Sequence, residues 1–393
     1  MRVALVHDWL ITLGGADRVL LALHELFPEA PVHVSLYDPA RLPEEFHRLD
    51  IHPSWLQRIP RAARHHRWLV PVMPMVFQTM NVDGAQVIIS SSHACAKGVR
   101  KPRGAVHICY CHTPMRYAWD FEPGYVHSLP PAVRPLARTA FLWLRWWDRA
   151  TADGVDHFIA NSKFVAGRIR RHYGREATVI YPPVDTEYFT PSGHPGGSFL
   201  VVSRLVPYKR VDLAVEAFNR LGRPLVIVGD GPEASWLRAK ARPNITFVGE
   251  VSDAALRSYY RRCAALVFPG EEDFGLVPLE AQACGRPVIA FGRGGALESV
   301  VDGMTGGFFF EPTADALMAA VRAFDQTSYD PAAIRSHAEQ FSRRRFLREM
   351  RQFVETVLTD GRAPFDSAQG IRLDAAEGHE RARIASESNG SAA

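Results

Sequence analysis

The chain has 393 residues, enough for two domains with cores of their own at roughly 100–200 residues each, which excludes a peptide hormone or a disulfide-stapled miniprotein. Hydrophobic residues at 47% and charged residues at 22% are ordinary for a folded soluble protein, so collagen-like, disordered and polytopic membrane classes fall away. The net charge of +4 hides a local imbalance: residues 51–150 carry 13 Lys and Arg against 4 acidic residues, a density that suits an anionic surface or substrate, nucleic acid and anionic lipid alike.

From the N-terminus, short β-branched runs alternate with helical patterns: 2–7 (RVALVH), 87–90, 105–111, 157–162 and 178–181 form one set. A second set follows at 199–205 (FLVVSRL), 224–230, 245–250, 264–270 and 287–292. Runs that are continuously apolar, not alternating, belong to strands covered on both sides, which with intervening helices predicts parallel sheets of βαβ units. The fold class expected is therefore α/β, with two Rossmann-like, doubly wound parallel-sheet domains.

Residues 182–197 hold four prolines and three glycines and read as an extended linker, giving a first domain at 1–181 and a second at 198–340. A helix is expected over 209–221, stopped by Gly222, and another capped by Ser252. A helix at 341–362 is expected to pack back on the first domain, and 363–393, poor in large apolar side chains, reads as a disordered tail. The five cysteines, Cys95, Cys109, Cys111, Cys263 and Cys284, mostly lie in apolar runs and are expected as reduced core thiols, without disulfides or a zinc site. The opening MRVALVHDW lacks a signal-peptide pattern, so a cytoplasmic chain is expected. The most apolar stretch, 68–77, has ten residues broken by Pro71 and Pro74, too short against the ~20 needed to cross a bilayer.

In open parallel sheets ligands bind at the carboxyl ends of strands, and four such places carry suitable chemistry. Gly14 and Gly15 precede a helix and could bring backbone N–H groups onto an oxyanion, although a plain connecting turn fits as well. Arg204 and Lys209, at a strand end and a helix start, could neutralise a diphosphate without a metal, or form a solvated basic loop. In EEDFGLVPLEAQACG (271–285), Pro278 suits the first helical turn, the amides of Phe274, Gly275 and Leu276 could meet a phosphate, and Glu280, expected in that first turn, could accept ribose hydroxyls. A carboxylate placed for the helix dipole would explain Glu280 but not the Glu-Asp-Phe-Gly run before it. The fourth place is SSSHACAKG (90–98), with His93; taken singly, His93, His7 and His112 each read more readily as structural histidines.

Arg204 with Lys209, then GDGPE at 229–233, then Glu272 and Glu280 with seven residues between them resemble, in that order, the C-terminal half of retaining GT-B glycosyltransferases of the Glu-x7-Glu type, family 4, group 1. GGADRVL (14–20) and YCHTPMRYAWD (110–120) further resemble bacterial mannosyltransferases that build polysaccharides on lipid carriers. The resemblance implies two domains facing across a cleft, with Arg204 and Lys209 on the donor diphosphate, the amides at Phe274, Gly275 and Leu276 near it, Glu280 on the ribose and Glu272 on the donor-sugar hydroxyls. It places Gly15 opposite the phosphate and makes His93 the histidine near sugar and acceptor. Asp17 stands where relatives often carry Glu.

The same resemblance implies a retaining, metal-independent hexosyl transfer without any cofactor, in which the departing phosphate takes the acceptor proton and Glu272 positions the sugar. It implies GDP-mannose as donor and a lipid-linked saccharide as acceptor. Arg, Trp and Phe interleaved in 51–150 point to an anionic membrane surface at the inner face of the plasma membrane, unless Trp68, Trp143 and Trp147 are core residues; nucleic acid is not expected. The three-glycine dinucleotide pattern is incomplete at Gly229–Gly231, which disfavours a dehydrogenase. A UDP-sugar-dependent transferase, a sugar-nucleotide epimerase and a non-catalytic nucleotide-sugar-binding protein remain as alternatives.

Overall fold

A computed structural model of the chain describes residues 1–120, 126–127, 129–193 and 196–360, so the tail expected at 363–393 lies outside the described residues. The chain divides into two compact units, Met1–Glu349 and Met350–Ala393, and the described part of the second is helical. The first unit contains two α/β assemblies. Strands β1 (Val3–His7), β2 (Val32–Val34), β3 (Ile51–Pro53), β4 (Val87–Ser92), β5 (Val106–Cys111), β6 (His157–Ala160) and β7 (Ala177–Val179) form a seven-stranded sheet in the order β3-β2-β1-β4-β5-β6-β7. Strands β8 (Phe199–Val202), β9 (Leu225–Val228), β10 (Ile245–Gly249), β11 (Leu266–Phe268), β12 (Val288–Phe291) and β13 (Gly306–Phe309) form a six-stranded sheet in the order β10-β9-β8-β11-β12-β13. Every pairing in both sheets is parallel.

The continuous apolar runs explain this arrangement. β1, β4 and β12 are buried along their whole length, as strands must be when helices cover both faces of a sheet. Around the second sheet, Phe199, Val201, Phe218, Ile227 and Val267 share one core with helix Val211–Leu221, and the other face packs Leu200, Val228, Tyr260 and Leu266. Burial of each such side chain contributes about 1.5–3 kcal/mol. All five cysteines are free and buried.

Helix punctuation follows the side chains that satisfy end groups. Ser252 accepts the Ala255 N–H at the start of helix Asp253–Arg262, and Gly222 closes Val211–Leu221 in a left-handed conformation at φ 68°. That helix begins at Val211, not 209: Pro207–Lys209 form a 3-10 turn, and Arg210 then takes φ 52°. Of residues 182–197, those described belong to no strand or helix, apart from an isolated bridge between Val184 and Ser342. Phe346, early in helix Arg343–Asp360, meets the Tyr110 ring, and Arg343 pairs with Glu25.

The topology selects the functional ends. Strand order reverses between β1 and β4 in one sheet and between β8 and β11 in the other, and the crevice outside the carboxyl ends of strands at such a switch point is where open α/β sheets take ligands. The loops leaving these four strands are those that carry Gly14–Gly15, His93, Arg204 with Lys209, and 271–276.

Candidate active site at the two switch points

β1 delivers His7 and Asp8 into the interior, both fully buried. The Asp17 carboxylate accepts the Gly14 N–H at 2.6 Å and faces His7 Nε2 at 3.0 Å. A carboxylate only accepts, so Nε2 carries the proton. His7 Nδ1 lies 3.1 Å from Ser91 Oγ, and that hydroxyl lies 2.8 Å from His112 Nε2. A chain of polar contacts thus ties the glycine loop to the ends of β4 and β5. Burial holds the His112 imidazole well below its ordinary range, and His93 and His7 push it the same way.

Asp8 organises the loop after β4. Its two oxygens accept backbone N–H groups from His93 (2.6 Å), Ala94 (2.9 Å), Cys95 (2.6 Å) and Ala96 (2.7 Å), which fixes the backbone that carries His93. His93 Nδ1 stands 3.4 Å from Asp8 Oδ2, and its ring sits edge-on to Trp9 with centroids 4.7 Å apart. The side chain is 26% exposed, so His93 is held by its own strand end yet open to a ligand.

At the second switch point Lys209 and Glu272 form an ion pair, their side chains 17% and 18% exposed. Lys209 Nζ also stands 5.4 Å from the centroid of the Tyr208 ring. Arg204 is exposed, and among the described residues its guanidinium shows no hydrogen-bond or ion-pair partner, while its carbonyl accepts the Ser203 hydroxyl and the Val206 N–H. The loop carrying Glu272 is shaped by glycines that sequence reasoning overlooked. A Cβ on Gly294, where φ is 64°, would stand 2.3 Å from the Glu272 carbonyl oxygen, and one on Gly295 would stand 2.2 Å from Phe274 Cα. The Gly295 N–H donates to the Glu272 carbonyl at 2.8 Å. Gly270 lies against Lys209 in the same way, its absent Cβ 2.8 Å from the Lys209 carbonyl oxygen.

Gly275, at φ 85°, caps helix Leu276–Ala283, which corrects one expectation: Glu280 is the fifth residue of this helix, beyond its first turn, because the helix starts two residues before Pro278. Glu280 is buried. Its Oε2 accepts the Tyr260 hydroxyl at 2.7 Å, and its Oε1 lies 3.9 Å from Arg18 Nη1, a residue of helix Gly15–Leu26 under the other sheet. Burial pushes the Glu280 carboxyl up from its ordinary range, while Arg18 and the Tyr260 hydroxyl oppose this. Gly15 and Leu276 touch: a Cβ on Gly15 would stand 3.0 Å from Leu276 Cδ1. The structure therefore brings Gly14, Gly15, Phe274, Gly275, Leu276 and Glu280 to one place, where two helix N-termini meet. Among the described residues no group of three or more His, Cys, Asp or Glu side chains is placed to hold a metal ion.

Sequence reasoning missed Asp8, Arg18 and Asp273. Each sits beside a residue that it did single out, but their partners lie far along the chain, so local pattern gave no signal.

Residues 13–188 match the family model described as Glycosyltransferase Family 4, and residues 196–325 match that of Glycosyl transferases group 1. An uncharacterized glycosyltransferase of Methanocaldococcus jannaschii is 30% identical over 167 residues, 41% of this chain and 47% of that protein. A D-inositol 3-phosphate glycosyltransferase of Mycolicibacterium smegmatis is 30% identical over 188 residues, 40% of this chain and 43% of that protein. The matched part thus spans about half the length of these curated relatives. Among solved structures, Anabaena HepE in complex with UDP and glucose superposes with a TM-score of 0.68 at 17% identity, covering 91% of this chain and all of that one. Two parallel-sheet halves thus stand in the GT-B fold, the seven-stranded one carrying a Glycosyltransferase Family 4 domain and the six-stranded one a Glycosyl transferases group 1 domain.

Proposed function

We propose that the chain transfers a hexosyl group, with retention, from a nucleoside-diphosphate sugar to a lipid-linked saccharide in cell-surface polysaccharide synthesis. The observation that carries this reading is the meeting of Gly15 and Leu276, which sets two helix N-termini together beside Lys209 and Glu272. In this reading Arg204 and Lys209 stabilise the negative charge that grows on the leaving diphosphate, the group that most needs it in such a transfer. Glu280, already accepting one hydroxyl from Tyr260, holds the ribose. Glu272 orients the sugar hydroxyls, and His93 lies on the acceptor side with Asp8 behind it. The departing phosphate takes the acceptor proton, and no metal or other cofactor is required. A site shared by two sheets excludes water from the reacting centre and so suppresses donor hydrolysis.

GDP-mannose is the donor favoured by the likeness of 14–20 and 110–120 to polysaccharide mannosyltransferases. The UDP and glucose bound to HepE favour a UDP-sugar as the second reading. The acceptor side fits a lipid: exposed Trp68, Leu136, Leu142 and Trp146 stand among arginines on segments that pack their inner sides on one core. Trp147, by contrast, is buried. No helix among the described residues is long and apolar enough to cross a membrane, so contact would be at the surface.

A thermal-unfolding panel of UDP-, GDP- and ADP-sugars tests the donor. The cognate one, at many times its dissociation constant, should stabilise by ~2–4 kcal/mol. GDP-mannose should do so and then support transfer of labelled mannose to a lipid extract. A shift with a UDP-sugar alone removes mannose, isomerised donor makes the chain an epimerase, and no shift with any of them removes the reading.

A further inference from the structure

The segment 113–120, part of the YCHTPMRYAWD stretch, reaches across to the Glu-Asp-Phe-Gly loop of the other sheet. Asp273 is the meeting point. Its Oδ2 accepts from Arg116 Nη1 at 3.3 Å and its Oδ1 from Thr113 Oγ1 at 3.2 Å, with Arg168 Nη1 3.9 Å from Oδ1. Its backbone carbonyl accepts the Ser162 hydroxyl at 2.6 Å, and Arg116 Nη2 lies 3.5 Å from the Glu271 carbonyl oxygen. The backbone is therefore gripped on both sides of Glu272 by residues of the seven-stranded-sheet half. The grip is itself held: Arg168 pairs with Asp120, and the Arg116 guanidinium lies 5.3 Å from the centroid of the Tyr208 ring, next to Lys209. A second carboxylate crosses in parallel. Glu298 accepts the N–H groups of Lys163 and Phe164, the first residues of helix Lys163–Tyr173, at 2.8 and 2.9 Å.

We propose that Asp273 is a positioning residue for Glu272, and that its ion pair with Arg116 makes closure of the two sheets and assembly of the donor-sugar subsite a single event. With the sheets apart, Asp273 loses Arg116, Thr113 and Arg168 together, and the backbone around Glu272 keeps only the contacts of its own half, among them the Gly295 N–H on the Glu272 carbonyl. Solvated as separate groups, these charges have no reason to hold the loop in one conformation; joined across the crevice, they do. Selectivity follows from the same contact, because an open site holds Glu272 less firmly for orienting a sugar and hence has less capacity to spend the donor on water. The role assigned to Glu272 rests on the glycosyl-transfer reading, whereas the ion pair itself does not.

The test uses Asp273→Asn, Arg116→Gln and their combination in the full chain, with Thr113→Val as a milder variant of the same contact and thermal unfolding to confirm that each folds. In small-angle X-ray scattering without ligand, Asp273→Asn should give a larger radius of gyration than the parent chain, and GDP or UDP should close the difference only in part. In steady-state transfer, kcat should fall by about tenfold or more while donor KM moves by less than about threefold, and donor hydrolysis should fall with transfer, not rise in its place. The losses should fall well short of multiplying in the double variant, since both single changes break the Asp273–Arg116 pair. Asp273→Glu should recover part of kcat, and Thr113→Val should move the same quantities less. Scattering indistinguishable from the parent, losses that multiply in the double variant, or an unchanged kcat each overturn the proposal. If the parent itself transfers no sugar, the functional reading fails separately and the scattering comparison still decides whether Asp273 latches the sheets.

Discussion

Gly15 and Leu276, 261 positions apart in the chain, are in van der Waals contact: a methyl group on Gly15 would stand 3.0 Å from Leu276 Cδ1. Because that atom ends a flexible side chain, Gly15→Ala should cost less than about 1 kcal/mol of stability, yet it wedges apart the two loops assigned to the diphosphate. Donor KM should rise by about tenfold, equivalent to ~1.4 kcal/mol of binding. Steady-state kinetics beside thermal unfolding checks this, and an unchanged KM would mean that the two loops do not hold the donor jointly.

Lys209→Ala removes both a cation and the partner of a mostly buried carboxylate. Transfer should fall by about 10²-fold or more through loss of leaving-group stabilisation. Stability should fall by about 1–3 kcal/mol, because Glu272 is left without its counter-charge. Adding Glu272→Gln should return much of the stability and none of the rate. Urea unfolding and the labelled-sugar assay separate the two effects; retention of parental rates by Lys209→Ala would remove its assigned role.

Gly295→Ala should be among the most damaging single changes at the site. Its Cβ would fall 2.2 Å from Phe274 Cα and 2.6 Å from Phe274 N, both backbone atoms that cannot turn aside. A loss of about 3 kcal/mol is expected in urea unfolding. Nucleotide binding should weaken further than the stability loss alone accounts for, since the displaced segment carries Glu272 and the amides of 274–276. Near-parental stability would show that the loop relaxes freely.

The sheets were legible where strands are buried on both faces, as in Val3–His7 or Val288–Phe291, because burial there demands unbroken apolar runs. Val32–Val34, Ile51–Pro53 and Gly306–Phe309 escaped notice. They have three or four residues each, lie at or next to a sheet edge, and contain His, Pro or Gly, which local propensity counts against a strand. Of the candidate residues, Lys209, Glu272 and Glu280 stood out since strand ends and helix starts are local features, as did Arg204, which the structure leaves exposed. Asp8 could not, for its meaning lies in four amides 85 to 88 residues away, nor could Arg18 or Asp273, whose partners belong to the other sheet.

Acid should destabilise the fold through its buried histidines. Burial lowers His107 to about 4, and His33 is lowered to about 4 by burial and by the neighbouring His52. The unfolded chain takes up these protons below about pH 6.5 while the folded chain does not, so their contribution is complete above 6.5 and is lost as pH falls toward 4. Each costs up to about 1.4 kcal/mol per pH unit within that window. His107→Gln, which keeps a polar group near Ser90 Oγ, should flatten the dependence of unfolding free energy on pH between about 6 and 4.5 by one such increment. Parallel curves for variant and parent would mean that another group carries the acid sensitivity.

A surface contact with anionic lipid predicts a separable loss. Trp68 is 77% exposed and Trp146 67% exposed, so replacing both with Ser removes little packing and should leave the melting temperature nearly unchanged. Residues 51–82 contain Arg58, Arg61, Arg64 and Arg67 and no Asp or Glu, so attraction to a negative leaflet meets no opposing charge within the segment. The parent chain should float with vesicles containing phosphatidylglycerol, less so as salt rises, and not with phosphatidylcholine alone. The double Trp variant should float weakly even at low salt, because headgroup attraction without inserted indoles is readily screened. Flotation equal to the parent's would place the contact elsewhere, and no flotation of the parent on either lipid would remove the membrane from the proposed acceptor side.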